Sequence, residues 1–233
     1  MDFFTNIYVI NLDRRKDRWA SIQNELRKLG VADRAVRIPG VDLGSHAGCT
    51  ASHKKFLDIA IANGKGVSLV IEDDAFICDD WSKILLSSLN GHLNSNIPPF
   101  KHNGVPGDWD LLYLGYNLDP YSAGTRPPNF ISHNLIELYG CLTTHMYAVN
   151  CNRLDRIIKY RGLMENYARI NEIDVLYLTI QLEHHFKAYA TYPMIATQSS
   201  GFSDISGFNV VYKLRENVDM VLRDHKKFVT RPV

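Results

Sequence analysis

The sequence predicts an α/β fold: a mostly parallel central sheet flanked by helices. Three observations carry this. Short β-rich runs alternate with longer runs of helical periodicity over the first third of the chain, as strand–helix–strand units require. The strongest strand, Val67-Ser68-Leu69-Val70-Ile71, runs directly into Glu72-Asp73-Asp74, and the carboxyl end of a parallel strand is where open α/β sheets bind ligands. The composition is globular, with 233 residues, 45% hydrophobic and 22% charged, enough to bury roughly 70% of the extended-chain surface.

The elements follow in order. Ile7-Tyr8-Val9-Ile10 is a first strand. Asp13 is placed to cap a helix from Arg14 to Leu29, with Trp19, Ile22, Leu26 and Leu29 on one face and Gly30 past its end. Ala35 to Ile38 is a second strand, closed by Pro39-Gly40. Gly44 to Cys49 reads as a small-residue loop, and a helix over Ala51–Ala62 follows, with Gly64 beyond it. Asp79-Asp80 is either a turn or a cap for a helix at Trp81. Asp110 to Leu114 is a strand ending at Gly115. Residues 90–108 and 117–134, rich in Asn, Pro, Gly and Ser, read as long loops. Leu138 to Val149 is one strand or a hairpin, Cys151–Tyr160 and Asp174–Leu182 are helical, and Tyr189–Ala196 is strand-like. Val218, Val221 and Leu222 are spaced for a short terminal helix. With no repeat, linker or low-complexity tract, residues 1–233 are expected to form a single domain.

Composition also excludes functions. Twenty-six Lys and Arg against 25 Asp and Glu give a formal charge of +1, which argues against a nucleic-acid partner held by a basic surface. No apolar run approaches the ~20 residues of a membrane span. The N-terminal residues lack the basic start and apolar stretch of a signal peptide, so the sequence reads as cytoplasmic; a place in the ER lumen would require a trimmed precursor. Cys49, Cys78, Cys141 and Cys151 fall at no metal-ligand spacing and read as reduced, mostly buried thiols. Nothing in the sequence sets the oligomeric state.

The chemistry concentrates in a few places. Three acids at a strand end repel one another and resist burial unless something positive meets them. Carboxylate oxygens there suit a hard divalent cation, Mn²⁺ or Mg²⁺; the plainer reading is a solvated turn. Neither G-x-G-x-x-G nor G-x-x-x-x-G-K-[ST] occurs, which excludes the common dinucleotide and P-loop designs. A phosphorylated ligand would then need a metal to hold much of its charge. Ser52 and His53 begin the expected second helix, where free N–H groups suit an anion; otherwise Ser52 is a cap and His53 a surface residue. His145 reads as a satisfied core histidine, and the adjacent His184 and His185 as structural.

Several segments together resemble glycosyltransferase family 25. Ile7-Tyr8-Val9-Ile10-Asn11-Leu12-Asp13-Arg14 with Arg18 is similar to its opening. Gly40-Val41-Asp42, Gly48-Cys49-Thr50-Ala51-Ser52-His53 and Val70-Ile71-Glu72-Asp73-Asp74-Ala75 resemble its next motifs. Asp110 to Gly115, Thr144 to Val149, Ile173-Asp174-Val175 and Pro193…Gln198…Ser203-Asp204-Ile205 follow in the family's order. The resemblance implies a GT-A-like nucleotide-sugar-binding fold, Mn²⁺ or Mg²⁺, and a UDP-sugar donor. The sugar implied is galactose, with glucose as the alternative. The acceptor would be collagen hydroxylysine or galactosyl-hydroxylysine on a collagen-like peptide, or a lipooligosaccharide glycan.

The resemblance also implies roles. Asp74 and then Glu72 become direct metal ligands, since alternate residues of an extended segment share a side, and Asp73 contacts ribose or another group. Gln198 falls where GT-A enzymes take a further ligand, in place of the histidine of related folds. Asn11, Arg14 and Arg18 are put near the uridine or diphosphate, where guanidinium recognises phosphate well, while Arg15 and Lys16 read as a solvated helix face. Asp42 faces uracil or ribose, or else is a turn residue. Ser52 and His53 contact the donor. Asp174, favoured over Glu172, is the acceptor's general base in an inverting enzyme and an orienting residue in a retaining one. Two other classes stay open: a metal-dependent nucleotidyltransferase or nuclease, and a nonenzymatic UDP-sugar binder.

Overall fold

The computed structural model describes residues 1–90, 107–118 and 128–229. Its frame is an eight-stranded sheet made of β1 (Asn6–Asn11), β2 (Ala35–Pro39), β3 (Val67–Glu72), β5 (Leu111–Asn117), β6 (Asn129–Ser132), β7 (Leu135–Leu138), β8 (Leu142–Asn150) and β9 (Ala188–Thr191). The order across it is β2-β1-β3-β8-β5-β9-β7-β6. β2, β1 and β3 are mutually parallel, and β5 is parallel to β9. β8 enters antiparallel between β3 and β5, and β7 antiparallel between β9 and β6. Six of the eight strands therefore run in one direction, and the mostly parallel α/β sheet expected from the sequence is present.

Alternation along each strand sends side chains to two cores. Ile7, Val9, Leu69, Ile71, Leu112 and Leu114 meet Ile22 and Leu26 of α1 (Lys16–Lys28) and Ile84 and Leu85 of α3 (Trp81–Asn90). Tyr8, Ile10, Val70, Tyr113 and Tyr147 face the other way. There they pack on Phe56 and Leu57 of α2 (His46–Asn63), Ile157 and Tyr160 of α4 (Leu154–Asn166), and Leu176, Tyr177 and Ile180 of α5 (Ile173–His184). Leu214, Val218, Val221 and Leu222 of α6 (Leu214–Val229) complete that layer. Each buried Leu or Ile contributes about 1.5–3 kcal/mol through lost apolar exposure. Among the described residues no helix is long and apolar enough to cross a membrane.

Several boundaries differ from the sequence reading. α1 starts at Lys16 without a side-chain cap, because Asp13 turns away to an ion pair with Arg37 at 2.6 Å. α2 starts at His46, not Ala51, so His46 to Cys49 are helical and not loop. The small residues there serve packing: a Cβ on Gly48 would lie 2.5 Å from the Val41 carbonyl oxygen. Leu138–Val149 is neither one strand nor a hairpin. β7 and β8 are separate strands that pair with other partners, β8 filling the gap between β3 and β5. Tyr189–Ala196 is cut by the cis Tyr192–Pro193 bond. Beyond it β10 (Ala196–Gln198) leaves the main sheet to pair antiparallel with β4 (Ala75–Ile77). Residues 129–132 form a strand inside the segment expected to be loop, and the terminal helix is 16 residues long rather than short. Of the loops expected at 90–108 and 117–134, residues 91–106 and 119–127 lie outside the described residues.

The topology creates one chemically crowded edge. Because β1 and β3 are parallel and register Ile10 opposite Glu72, Asn11 and Glu72-Asp73-Asp74 emerge together at the carboxyl ends. β8 runs the other way, so its beginning, at Thr143 and Thr144, arrives at the same edge.

Candidate active site

A cleft opens at this edge. The strand ends, the first turns of α1, the loop at 41–45 and α2 form its walls, and the segment Gln198–Tyr212 covers one side. That covering segment contains a small hairpin, β11 (Gly201–Phe202) with β12 (Asn209–Val210).

The acids and their partners define its floor. Asn11 Nδ2 donates to Asp73 at 2.7 Å and to the Arg15 carbonyl at 3.0 Å. The Arg18 guanidinium donates to Asp73 at 3.1 Å, to Asp74 at 3.2 Å and to the Phe202 carbonyl at 2.7 Å. Glu72 accepts from Thr144 Oγ1 at 2.7 Å and lies 3.2 Å from His53 Nε2. Gln198, registered opposite Ala75, lines the cleft beside the acids.

Their electrostatics differ sharply. Burial pushes the Glu72 carboxyl up, but the His53 and Thr144 hydrogen bonds and the electrostatic pull of His53 and His145 outweigh it and hold the group below its usual range. Burial raises Asp73 despite Asn11 and Arg18. Burial and then the Glu72 charge lift Asp74 to about 7 against the pull of Arg18. Asp74 Oδ1 is buried with no hydrogen-bond partner among the described residues. A buried carboxylate oxygen of this kind is costly unless a cation or proton meets it. Oxygen donors from Glu72, Asp74 and the Gln198 amide fit a hard divalent ion.

The cleft also gathers Arg14, Asp42, Ser52 and His53. Arg14 bridges Asp42 at 2.6 Å and Asp204 at 2.5 Å. Ser52 and His53 do not begin a helix. They sit in the second turn of α2, so the free N–H groups expected of them are absent. Ser52 Oγ donates to the Gly48 carbonyl and accepts from Val41 N–H, both at 2.8 Å, fastening the 41–45 loop to α2. His53 is buried and reaches the cleft through its contact with Glu72, while its Nδ1 pairs with Tyr147 Oη at 3.0 Å. Arg15 is not solvated: it bridges Asp17 and Asp204. Lys16 is exposed.

Asp174 is the one predicted site residue that does not line the cleft. It lies in the first turn of α5, where its carboxylate accepts from Thr143 N–H at 3.2 Å and Val175 N–H at 2.9 Å. Thr143 has φ +65°, a strained value for a β-branched residue. Burial raises the Cys49 thiol, and the charges of Glu72, Asp74 and then Asp174 add to it. His145 is fully buried, with Nε2 bonded to the Ala196 carbonyl at 3.1 Å, and burial lowers its pKa, as a neutral core histidine requires.

Sequence reasoning gave no role to three residues of the cleft. Asp204 ties Arg14 and Arg15 to the covering segment, Tyr212 caps the acids, and Cys49 sits one helical turn before His53. Asp204 and Cys49 lay in motif-like segments, while Tyr212 sits in a polar stretch with no signal of its own. Burial, reinforced by Asp74 and Glu72, raises the Tyr212 hydroxyl.

No protein-family profile and no curated protein matches the sequence. Several solved structures are similar in fold. A glycosyltransferase involved in glycosylation of the major capsid of PBCV-1 is 12% identical, with TM-score 0.44 over 94% of this chain and 98% of that one. The inositol-1-phosphate CTP transferase from T. maritima is 12% identical, with TM-score 0.40 over 93% and 76%. Mouse xyloside xylosyltransferase 1 is 8% identical, with TM-score 0.36 over 78% and 70%. At these values the likeness says nothing of donor or acceptor.

Proposed function

We propose that this chain is a GT-A-like glycosyltransferase of the family 25 type, transferring a hexose from a UDP-sugar to an acceptor hydroxyl. One observation carries the reading. Five acids (Asp42, Glu72, Asp73, Asp74 and Asp204) and two arginines (Arg14 and Arg18) converge in a cleft at the carboxyl ends of β1 and β3, with a buried Asp74 oxygen left without a partner among the described residues. That pattern suits a cation-bound diphosphate better than a neutral ligand.

Glu72, Asp74 and Gln198 would hold Mn²⁺ or Mg²⁺, which when bound supplies charge stabilisation for the departing diphosphate. Asp74, whose carboxyl is lifted to about 7 by burial and the Glu72 charge, would release any proton it holds on becoming a ligand. Arg18, relieved of Asp74 and still holding Asp73, would then have a donor to turn to the diphosphate, and Arg14 would do so once it leaves Asp42 or Asp204. Asn11 and Asp73, already bonded to each other, present a ribose-sized polar wall, with Asp42 at the uracil or ribose side. In the transfer, the acceptor oxygen bonds to the sugar's anomeric carbon as the anomeric carbon–phosphate oxygen bond breaks. UDP departs with the bonding pair. If the anomeric centre inverts, the hydroxyl proton would pass to Asp174, which must then be reached by the acceptor from outside the present cleft lining; if the centre is retained, Asp174 would orient the acceptor.

Galactose is the sugar the resemblance favours, with glucose differing at one hydroxyl. Collagen hydroxylysine, its galactosyl form and a lipooligosaccharide sugar are the acceptors to try. The test is a screen of UDP-galactose and UDP-glucose against collagen peptides and galactosides, monitoring free UDP. UDP release with glycosylated acceptor supports the reading. Pyrophosphate release from a nucleoside triphosphate would replace it with nucleotidyl transfer, and UDP binding without turnover on any acceptor would reduce it to a binder.

A further inference from the structure

We propose that Cys49, His53 and Glu72 form a binding site for a thiophilic divalent cation of the Zn²⁺ type, which shares only Glu72 with the oxygen ligands around Asp74. The Cys49 sulfur, a His53 ring nitrogen and a Glu72 carboxylate oxygen all lie within 4.8 Å of one another. Cys49 and His53 are four residues apart on α2 and so share a helix face. Glu72 comes to them from the end of β3, already 3.2 Å from His53 Nε2.

Zn–S and Zn–N bonds of about 2.3 and 2.0 Å put the donor atoms of a tetrahedral site roughly 3.5 Å apart. Closing the present triangle therefore takes about an ångström of side-chain movement, within reach of rotamer adjustment. His53 is already oriented for the role. Its Nδ1 lies 3.0 Å from Tyr147 Oη, which in turn lies 2.8 Å from Tyr177 Oη. Both hydroxyls can donate or accept, so the pair can take a proton donated by Nδ1 when a cation displaces, to solvent, the proton that Nε2 shares with Glu72 and the proton of the Cys49 thiol. A second hydrogen bond of this kind is what fixes metal-binding histidines. All three donors line the cleft, which leaves a fourth position open to water or ligand.

A sulfur–imidazole–carboxylate set selects softer ions than an all-oxygen set does. Glu72 belongs to both sets. A soft cation held by Cys49 and His53 withdraws Glu72 from Asp74 and so competes with the hard ion. That consequence rests on the proposed donor reading, whereas binding of the soft cation does not.

The test uses the full chain without nucleotide. Co²⁺ titration should produce thiolate-to-Co²⁺ charge-transfer absorption saturating at about one equivalent, bleached by one equivalent of Zn²⁺. Cys49→Ser should abolish the band, and Cys78→Ser, at the other half-exposed thiol, should leave it. In the unmodified protein, Zn²⁺ should slow alkylation of Cys49 by iodoacetamide at least tenfold, read by peptide mass spectrometry; this readout needs no variant to fold. Absence of the band, its survival in Cys49→Ser, or alkylation unaffected by Zn²⁺ would overturn the proposal. Loss of Mn²⁺-dependent UDP binding with the Co²⁺ band intact would count against the donor reading alone.

Discussion

Asp74→Asn should make the protein more stable at neutral and alkaline pH while disabling its cation site. Asp74 is buried beside Glu72 and Asp73, and its folded pKa stands at about 7 against an ordinary 3.8. A carboxyl raised on folding favours the native state fully below its unfolded pKa. That contribution is lost as pH climbs through the folded value. The loss between pH 4 and pH 8 is on the order of 4 kcal/mol. Asparagine keeps the size and cannot ionise, so the variant escapes the loss. The ion pair with Arg18 at 3.2 Å already lowers that folded pKa and is contained in the figure. The net gain at pH 8 is about 4 kcal/mol, or a Tm rise of roughly 8–16 °C for a chain of this length. Thermal denaturation followed by circular dichroism, in EDTA and over pH 4 to 8.5, measures it. The Tm difference should be near zero or slightly negative at pH 4 and grow through pH 7. Adding Mn²⁺ at pH 8 should raise the wild-type Tm and leave the variant where it was. A variant no more stable than wild type at pH 8 in EDTA would refute the reasoning about the acid cluster.

Three further outcomes follow from the same geometry. Arg18→Ala and Arg14→Ala should each raise the apparent donor constant about 10–100-fold, the worth of charge-assisted hydrogen bonds, and move the acceptor constant little; a change in the acceptor constant alone reverses the assignment of sides. Asp174→Asn should lower turnover by ~10²–10⁴ with UDP binding nearly unchanged, while Glu172→Gln costs far less; a β-configured product by NMR from an unimpaired Asp174→Asn enzyme would falsify the base assignment. Gly115→Ala should lower Tm by roughly 3–10 °C, because a Cβ there would lie 2.0 Å from His145 Nε2 and 2.8 Å from the Ala196 carbonyl oxygen; an unchanged Tm means that the core relaxes at no cost.

The parts of the site legible in the sequence are those written by neighbouring residues. Glu72-Asp73-Asp74 stands out because an apolar strand ends in three acids, which local structure alone gives no reason for. Gly30 and Gly64 mark helix ends because both hold positive φ. The strand at Val67 and the helix after Arg15 follow from apolar runs and period. What was hidden depends on partners far along the chain. Arg14 meets Asp204 across 190 residues, a pairing no local pattern encodes. The early start of α2 was masked by Gly44 to Cys49, whose small residues look like loop but let the 41–43 backbone approach the helix. β8 pairs with β3 and β5 rather than with β7, because insertion between two strands is a property of the whole sheet. His53 was placed at a helix start, whereas its buried contact with Glu72 comes from the pairing of α2 with the end of β3.

The proposed function requires a divalent cation in the acid cluster, through which a nucleoside diphosphate would bind. Calorimetric titration with UDP, run once with Mn²⁺ and once after exhaustive chelation, tests it most directly. The account predicts a saturable binding heat with Mn²⁺ that disappears on chelation, and no such heat for Asp74→Asn under either condition. UDP affinity that is the same with and without the cation would contradict it.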